Sequence, residues 1–282
     1  MICTCMLLST IIASAQSGKE STRVLSYENQ GKNKGVLVQN SRNSRFKNFA
    51  FVLTAESVHS LPNLDYLKHN GLKYSVGAEY VLPLGKNGGV GLGARYGICN
   101  FNLESKEFFY SCNVYDDEND NLEYKAHGRD LKEKQIIHII EIPVYYHYRL
   151  KNLCFKVGPE IAIPISAKSK TVSGNVELSG YYPKYNVELK DLPNHGFGKY
   201  DVVGRQNVLD TKVAWGINAY FGYCFPLKTI DINLGIGVKY LFNGYIDTMK
   251  KFLDYPGSIK SLSYTGKKSG YLSWGLSLGI GL

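Results

Sequence analysis

Ten charged residues recur at alternate positions of predicted β-strands, so their side chains would point to one side of a sheet. Successive side chains of a strand alternate between its two faces, and charges two residues apart therefore share a face. Five are acids and five are bases, and buried charges need such partners because an unpaired one is costly. We predict a paired structural network, with an ion or proton path as the alternative. The set is Glu56, Lys73, Glu79, Arg95, Glu141, Arg149, Lys156, Glu160, Asp231 and Lys239.

Other candidate sites in the sequence lack partners. His138 is expected on the opposite, apolar face, and a catalytic histidine needs a serine and an acidic group beside it, which the sequence does not place there. The acidic run at 116–120 lacks the ligand spacing and the central glycine of a calcium loop, so a solvated loop is favoured over a calcium site. We therefore predict no catalytic residue, no cofactor and no metal site.

Four cysteines, Cys99, Cys112, Cys154 and Cys224, lie beyond the N-terminal segment. Cys154 and Cys224 are expected on neighbouring strands, facing the same side. Such positions seldom offer the geometry of a disulfide, so free thiols are favoured. A Cys154–Cys224 bond and a Cys99–Cys112 bond remain open.

Residues 135–166 show most clearly which elements must position these side chains. They form two apolar–polar alternating arms around a tight turn at Lys151-Asn152. Each arm exceeds the usual strand of about 5–6 residues and matches the roughly 9–11 residues with which a tilted strand crosses a bilayer. One face is almost continuously apolar and the other carries Glu, Lys, Arg and His, as in strands between lipid and a polar interior.

The same alternation recurs in eight segments, with short connections after the second, fourth and sixth and long ones after the others. This pattern predicts an all-β fold, an eight-stranded antiparallel up-and-down transmembrane β-barrel with short periplasmic turns and long extracellular loops. A soluble, lipocalin-like barrel with the faces reversed is the alternative. The predicted strands are about 46–57, 71–84, 89–103, 135–150, 153–166, 212–225, 230–243 and 271–282.

The N-terminal segment Met1–Ala15 is apolar and ends in an Ala-x-Ala cleavage pattern, which predicts a signal peptide at 1–15. Residues 16–45 are polar and lack periodicity, which predicts a flexible periplasmic segment before a barrel domain at 46–282. The net charge is +9, but no basic run is interleaved with aromatic residues, so nucleic acid is not expected as a partner.

Two motifs flank the tight turn: Ile142-Pro143-Val144-Tyr145-Tyr146 before it and Phe155-Lys156-Val157-Gly158-Pro159-Glu160 after it. With them, the chain resembles the outer-membrane β-barrel domain family of Bacteroidota, small porin-family barrels with an OmpX-like plan. The resemblance implies the outer membrane of a Gram-negative bacterium, contact with its lipid and lipopolysaccharide, and the barrel-assembly machinery as a partner. Leu282 departs from the phenylalanine that commonly ends such barrels. No catalytic residues carry over.

We therefore expect a non-enzymatic outer-membrane barrel with a side-chain-filled lumen. It would be structural, or would bind an extracellular ligand or protein through the predicted loops 104–134 and 171–210. A narrow channel for ions or small solutes is the alternative. A lipid-modifying barrel enzyme and a soluble ligand-binding barrel are less favoured.

Overall fold

A computed structural model describes residues 48–61, 68–116, 118–247, 253–254, 258–265 and 270–282. The predicted signal peptide at 1–15 and the predicted flexible segment at 16–45 lie outside the described residues. Where the chain is described, its helices are too short and too polar to cross a membrane.

Eight antiparallel strands of the described chain form a closed ring, in which each strand is hydrogen-bonded to two neighbours. Their order follows the sequence, and the last strand pairs with the first, as the predicted fold class requires. That prediction is confirmed. The strands are β1 (Phe49–Leu61), β2 (Lys68–Pro83), β3 (Gly88–Tyr115), β4 (Asn121–Leu150), β5 (Leu153–Tyr182), β6 (Ala214–Pro226), β7 (Asp231–Leu241) and β8 (Gly270–Gly281).

One end of the ring, here called the turn rim, carries the short connections 84–87, 151–152 and 227–230. Lys151 adopts a positive φ of 52° in the two-residue turn between β4 and β5, as tight hairpin turns require. The first and last ring strands also meet here, because the Leu282 amide donates to the Phe49 carbonyl at 2.8 Å. We call the opposite end the loop end.

The predicted loops 104–134 and 171–210 are largely β-structure, which corrects the sequence interpretation. β3 continues to Tyr115 and β4 begins at Asn121, so both strands extend beyond the ring as one long hairpin. β5 likewise continues to Tyr182. The short segments Val187–Leu189, Gly198–Asp201 and Gln206–Val208 pair along its edge.

The physical reason for this error is a switch in the apolar face. Near the turn rim the outward side chains are apolar, as at Tyr96, while inward positions carry charge, as at Arg95. From Phe101 onward most of the buried inward side chains are apolar, as at Leu103, and outward residues such as Asn102 are polar. The inner face of the extended sheet packs as a hydrophobic core, and its outer face meets water instead of lipid.

An apolar band of exposed side chains surrounds the lower part of the ring. It includes Leu53, Leu72, Val76, Leu92, Val144, Val157, Trp215, Ile236, Trp274 and Leu276. Toward the loop end the band gives way to polar outward residues, among them His59 on β1, Asn70 on β2, Asn100 on β3 and Lys134 on β4. Aromatic side chains such as Trp215 and Trp274 lie within the band.

Candidate functional site

The ten charged residues predicted to face one side all lie on the inner face of the ring. Arg95 and Lys156 keep 12% and 15% of their side-chain surface exposed, and the other eight are buried. Neighbouring strands place opposite charges level with one another: Glu56 pairs with Lys73 in the β1–β2 register and Arg95 with Glu141 in the β3–β4 register. The ten side chains separate into three groups.

The central cluster consists of Glu56, Lys73, Glu141, Glu160 and Lys239. Lys73 Nζ lies 2.6 Å from a carboxylate oxygen of Glu56 and 2.6 Å from one of Glu141. Lys239 Nζ lies 2.7 Å from the same Glu141 oxygen and 2.5 Å from Glu160. These contacts connect β4 with β2 and with β7 on the opposite wall. Three carboxylates and two ammonium groups give the cluster a formal charge of −1.

Neutral side chains supply further hydrogen bonds to the central cluster. Ser273 Oγ donates to Glu56 at 2.9 Å, and the Asn218 amide donates to Glu160 at 3.3 Å. Hydrogen bonds of this kind stabilise the ionised form of a buried carboxylate.

The middle cluster lies nearer the turn rim and is centred on Glu79. One carboxylate oxygen is in contact with Arg95. The other lies 2.5 Å from Lys156 Nζ and accepts a hydrogen bond from the Tyr145 hydroxyl at 2.7 Å. Two cations on one carboxylate give this cluster a formal charge of +1. The Tyr145 ring fits against Gly91 on β3, where a Cβ atom would overlap it.

A rim pair completes the series. Arg149 donates to Asp231 at 2.8 Å and to the Lys151 carbonyl at 3.1 Å. The pair is neutral. The formal charges of the central cluster, the middle cluster and the rim pair therefore sum to zero.

The four described cysteines, Cys99, Cys112, Cys154 and Cys224, are free thiols, as the sequence interpretation favoured. Neither the Cys154–Cys224 bond nor the Cys99–Cys112 bond that the sequence left open is formed. The thiols of Cys154 and Cys224 are hydrogen-bonded to each other, and Cys154 Sγ also lies 3.7 Å from the Asn233 amide oxygen.

Little space remains between the clusters. A cavity of about 40 Å³ lies beside Glu56, Arg95, Tyr145, Lys156 and Lys239. One water occupies roughly 10–15 Å³ on this measure, so the cavity holds only a few waters.

Aromatic rings cover the central cluster on its loop-end side. Tyr245 stacks on Tyr271 at a centroid distance of 5.2 Å, and Phe101 packs on Tyr271 at 5.3 Å. His69, above the apolar band, packs against Phe101 at 4.4 Å. Burial lowers the pKa of His69 to about 3.

Glu133 holds a covering segment in place above the apolar band. It accepts hydrogen bonds from the Ser261 hydroxyl, from the Leu262 amide at 2.9 Å and from Gln135 at 2.7 Å. Burial raises the pKa of this carboxyl above its ordinary value. Glu133 thus ties β4 to residues 261–262.

The acidic run forms a tight turn between β3 and β4. Asp116 accepts hydrogen bonds from the amides of Glu118 and Asp120 at 3.0 and 2.8 Å. Lys184 and Tyr185 both bond to Asp120, and these bonds lower its pKa. Within the described ranges, no group of three or more His, Cys, Asp or Glu side chains is arranged to hold a metal ion.

Two histidines face outward near the loop-side edge of the apolar band. His138 lies on the outer face as predicted, with Nδ1 2.6 Å from the Tyr96 hydroxyl. His59 was missed because the predicted first strand ended at residue 57. Its ring bonds to Ser57 at 2.9 Å and to Asn70 at 3.1 Å. The Ser-x-His spacing was visible in the sequence, but Asn70 is located only by the β1–β2 register.

Comparison with known families agrees with the ring. Residues 29–248 match the family model described as an outer membrane protein beta-barrel domain. The chain belongs to this family. As a member, it is an outer-membrane β-barrel protein of a Gram-negative bacterium, which confirms the predicted localisation.

Three solved structures are similar to this outer-membrane barrel at low identity. Neisserial surface protein A is 9% identical over 83% of this chain and 99% of its own, with a TM-score of 0.31. The translocator domain of autotransporter NalP from Neisseria meningitidis is 8% identical (84% and 89% covered, TM-score 0.26). The transport unit of autotransporter AIDA-I from Escherichia coli is 10% identical (86% and 92%, 0.26). No curated protein matches the chain.

Proposed function

We propose that this outer-membrane barrel does not conduct, that its interior is structural, and that it acts through its outer surfaces. The observation that carries this proposal is the neutral chain of ion pairs across the lumen. An ion that entered would have to displace Lys73 or Lys239 from carboxylates at 2.5–2.7 Å, and would leave buried charges unpaired. The cavity of about 40 Å³ and the covering rings of Phe101 and Tyr245 agree with a closed lumen.

The interior serves neither transport nor catalysis in this proposal. The finer family placement, an OmpX-like porin-family barrel of Bacteroidota, is supported by the motifs Ile142–Tyr146 and Phe155–Glu160. The barrel-assembly machinery would insert such a chain into the membrane.

The loop end is the proposed surface for an extracellular ligand or protein. The extended hairpin of β3 and β4 and the edge segments of β5 present large apolar side chains to solvent there. Phe109 is 74% exposed and Val208 is 79% exposed. Exposed aromatic and aliphatic side chains on a rigid sheet provide contact area at little cost in conformational entropy.

A row of lysines just above the apolar band supports lipopolysaccharide as a lipid partner. Lys134, Lys168 and Lys170 are exposed on the outer face of β4 and β5. Lys134 lies directly opposite Lys170 in the ladder, an arrangement that is destabilising unless an anion neutralises it. The phosphates of lipopolysaccharide would lie at this level.

Conductance decides between this proposal and a narrow channel. The refolded protein in planar bilayers is expected to show no conductance steps above background. Glu141→Gln is expected to show none either. Steady ohmic conductance of the unaltered protein, changed by Glu141→Gln or Arg95→Gln, would establish the channel instead. The gel shift between unheated and heated samples verifies that each variant is folded.

A further inference from the structure

Three hydrogen-bonded side chains lie on the outer face of the ring, at the loop-side edge of the apolar band. Ser57 Oγ lies 2.9 Å from Nε2 of His59, and Nδ1 of the same ring lies 3.1 Å from Oδ1 of Asn70. Ser57 and His59 project outward from β1 two residues apart, and Asn70 on β2 is directly opposite His59. A nucleophile, a base and a group that orients the base are thus joined in one chain of hydrogen bonds.

The partners determine where the imidazole carries its proton. An amide oxygen only accepts hydrogen bonds, so the ring proton of His59 lies on Nδ1 and is donated to Asn70. Nε2 then accepts from the Ser57 hydroxyl. This is the tautomer in which a histidine can remove the proton of a serine, and such a triad is recognised by geometry and roles, not by its order in the sequence.

An apolar groove begins directly below Ser57. It is a cavity of about 900 Å³ on the outer face of the ring, and Ala55, the next outward residue of β1, lies in its wall. The groove runs around the ring within the apolar band, from Tyr96 on β3 across β2, β1 and β8 to Ile236 on β7, and its apolar lining fits an acyl chain. Its lining includes Leu53, Ala55, Tyr74, Val76, Ile236 and Leu276.

The level of the triad in the membrane matches the position of an ester. Leu72, directly opposite Ser57 in the β1–β2 ladder, and the residues below it on the outer face of β2 are apolar, whereas Asn100 and Asn102 of β3 are exposed and polar. In a lipid the acyl esters lie at this same boundary between hydrocarbon and headgroup. An acyl chain in the groove would bring its ester to Ser57.

We propose that Ser57, His59 and Asn70 form the active site of an acyl hydrolase that cleaves an ester bond of a membrane lipid. Ser57 and His59 are the catalytic residues, and Asn70 is a positioning residue. This inference goes beyond the function proposed for the interior and the loop end, and it departs from the expectation of no enzymatic activity. That expectation was based on His138, whose hydrogen-bond partner is the Tyr96 hydroxyl and not a serine.

The reaction is a hydrolysis in two steps. Ser57 Oγ adds to the ester carbonyl carbon as its proton passes to Nε2 of His59, and the ester C–O bond then breaks as Nε2 returns that proton to the leaving alcohol. Water adds to the acyl-serine with His59 again as base, and the fatty acid leaves as Ser57 regains its proton.

Two readouts on the folded full chain test the proposal. The unaltered protein is expected to release fatty acid from vesicles of phosphatidylethanolamine and phosphatidylglycerol, or from vesicles that contain lipid A, and these two arms identify the lipid. It is also expected to form a covalent adduct with a fluorophosphonate at Ser57. Ser57→Ala and His59→Ala should lower the release at least about 10³-fold.

Two further variants separate a functional role from a structural one. Asn70→Leu should lower the rate, whereas Asn70→Asp, which keeps the acceptor, should restore it. Ala55→Phe fills the groove and should abolish release from vesicles while the fluorophosphonate adduct still forms. His127→Ala, in the extended hairpin, removes a histidine bonded to Glu107 and should change neither readout.

Two results would overturn the inference. One is a folded, heat-modifiable protein that releases no fatty acid from either kind of vesicle and forms no adduct. The other is release that persists in Ser57→Ala, which would mean that the three side chains form only a polar collar at the membrane surface.

Discussion

At the scale of single residues, Lys73 shows what the neutral interior requires. It is fully buried, and its ammonium group bridges Glu56 and Glu141. Neither partner could be exchanged for solvent, because the central cluster lies between covering aromatic rings and the middle cluster. The charge of Lys73 is therefore held by the two carboxylates and not by water.

Lys73→Met should destabilise the barrel strongly. Lys239 alone would then face three carboxylates, and removing one partner of a buried ion pair costs about 3–5 kcal/mol. The free energy of unfolding in urea, followed by tryptophan fluorescence in lipid vesicles, measures this loss. The double variant Lys73→Met/Glu141→Gln returns the formal charge of the cluster to −1 and should recover part of it. Lys86→Met in an exposed turn is the control, expected within about 0.5 kcal/mol of the unaltered protein.

His69 should make the loop end sensitive to acid. Its folded pKa of about 3 lies below the ordinary value of 6.5, so the unfolded chain binds a proton first as the pH falls. Stability is then fully present above pH 6.5 and declines from there toward pH 3, as the unfolded chain takes up the proton that the folded chain does not bind. In His69→Leu, the urea midpoint of unfolding should change less between pH 6.5 and pH 5 than it does in the unaltered protein. Val208→Ala, at the protein surface, removes no titratable group and should leave the slope unchanged, and an equal slope in His69→Leu would contradict the assignment.

At the scale of elements, the strands interlock through glycine. β3 has no side chain at Gly91, and the Tyr145 ring of β4 occupies that space while its hydroxyl bonds to Glu79. The fit of two neighbouring strands thus holds the middle cluster in position.

Gly91→Ala should weaken this fit. The new methyl group overlaps the Tyr145 ring, and overpacking of this kind costs about 1–3 kcal/mol. Gly237→Ala is a matched control, because the atom nearest to its Cβ is a carbonyl oxygen 3.9 Å away. Thermal unfolding of both variants should show a loss in Gly91→Ala alone; an equal loss in both would indicate a general glycine effect in the strands.

The lysine row of β4 and β5 should respond to lipopolysaccharide. Lys134→Gln/Lys170→Gln relieves cross-strand repulsion, so the variant should be as stable as the unaltered barrel, or slightly more so, in phosphatidylcholine. In vesicles with lipopolysaccharide it should gain less stability than the unaltered barrel does. The temperature at which the gel shift is lost measures both. Lys86→Gln/Lys151→Gln at the turn rim serves as control, and an identical gain in the two double variants would argue against this site.

The sequence predicts the strands and the faces of their side chains more accurately than the contacts between those side chains. A period of two places Glu56 and Lys239 on the inner face without a structure, because parity alone decides the face. It could not predict that Lys239 meets Glu141 from across the ring, since that contact depends on curvature and register. The extension of β3 was missed because the apolar face switches near Phe101, and His59 was missed with the end of β1.

At the scale of the whole molecule, the strands of the ring differ greatly in length. β3, β4 and β5 have 28, 30 and 30 residues, whereas β7 has 11. The long strands are adjacent, so they extend to one side of the loop end as a continuous sheet. This sheet gives the molecule a surface well clear of the lipid.

Labelling of cysteines on cells should establish which end faces outward. In a Cys112→Ser background, Val208→Cys at the loop end should react with a membrane-impermeant maleimide on intact cells. Lys86→Cys at the turn rim should react only after the outer membrane is permeabilised. The reverse result would invert the barrel and place the hydrolase triad in the inner leaflet.

The hydrogen bond between Leu282 and Phe49 has a consequence for chain connectivity. A closed ring has no obligatory first strand, because each strand already has both of its neighbours. A short linker between these two residues, with new ends opened in the turn at 84–87, would give a circular permutant with every ladder intact. In that permutant β1 and β8 would become a local hairpin, and the seam that now joins the most distant parts of the chain would move to β2 and β3.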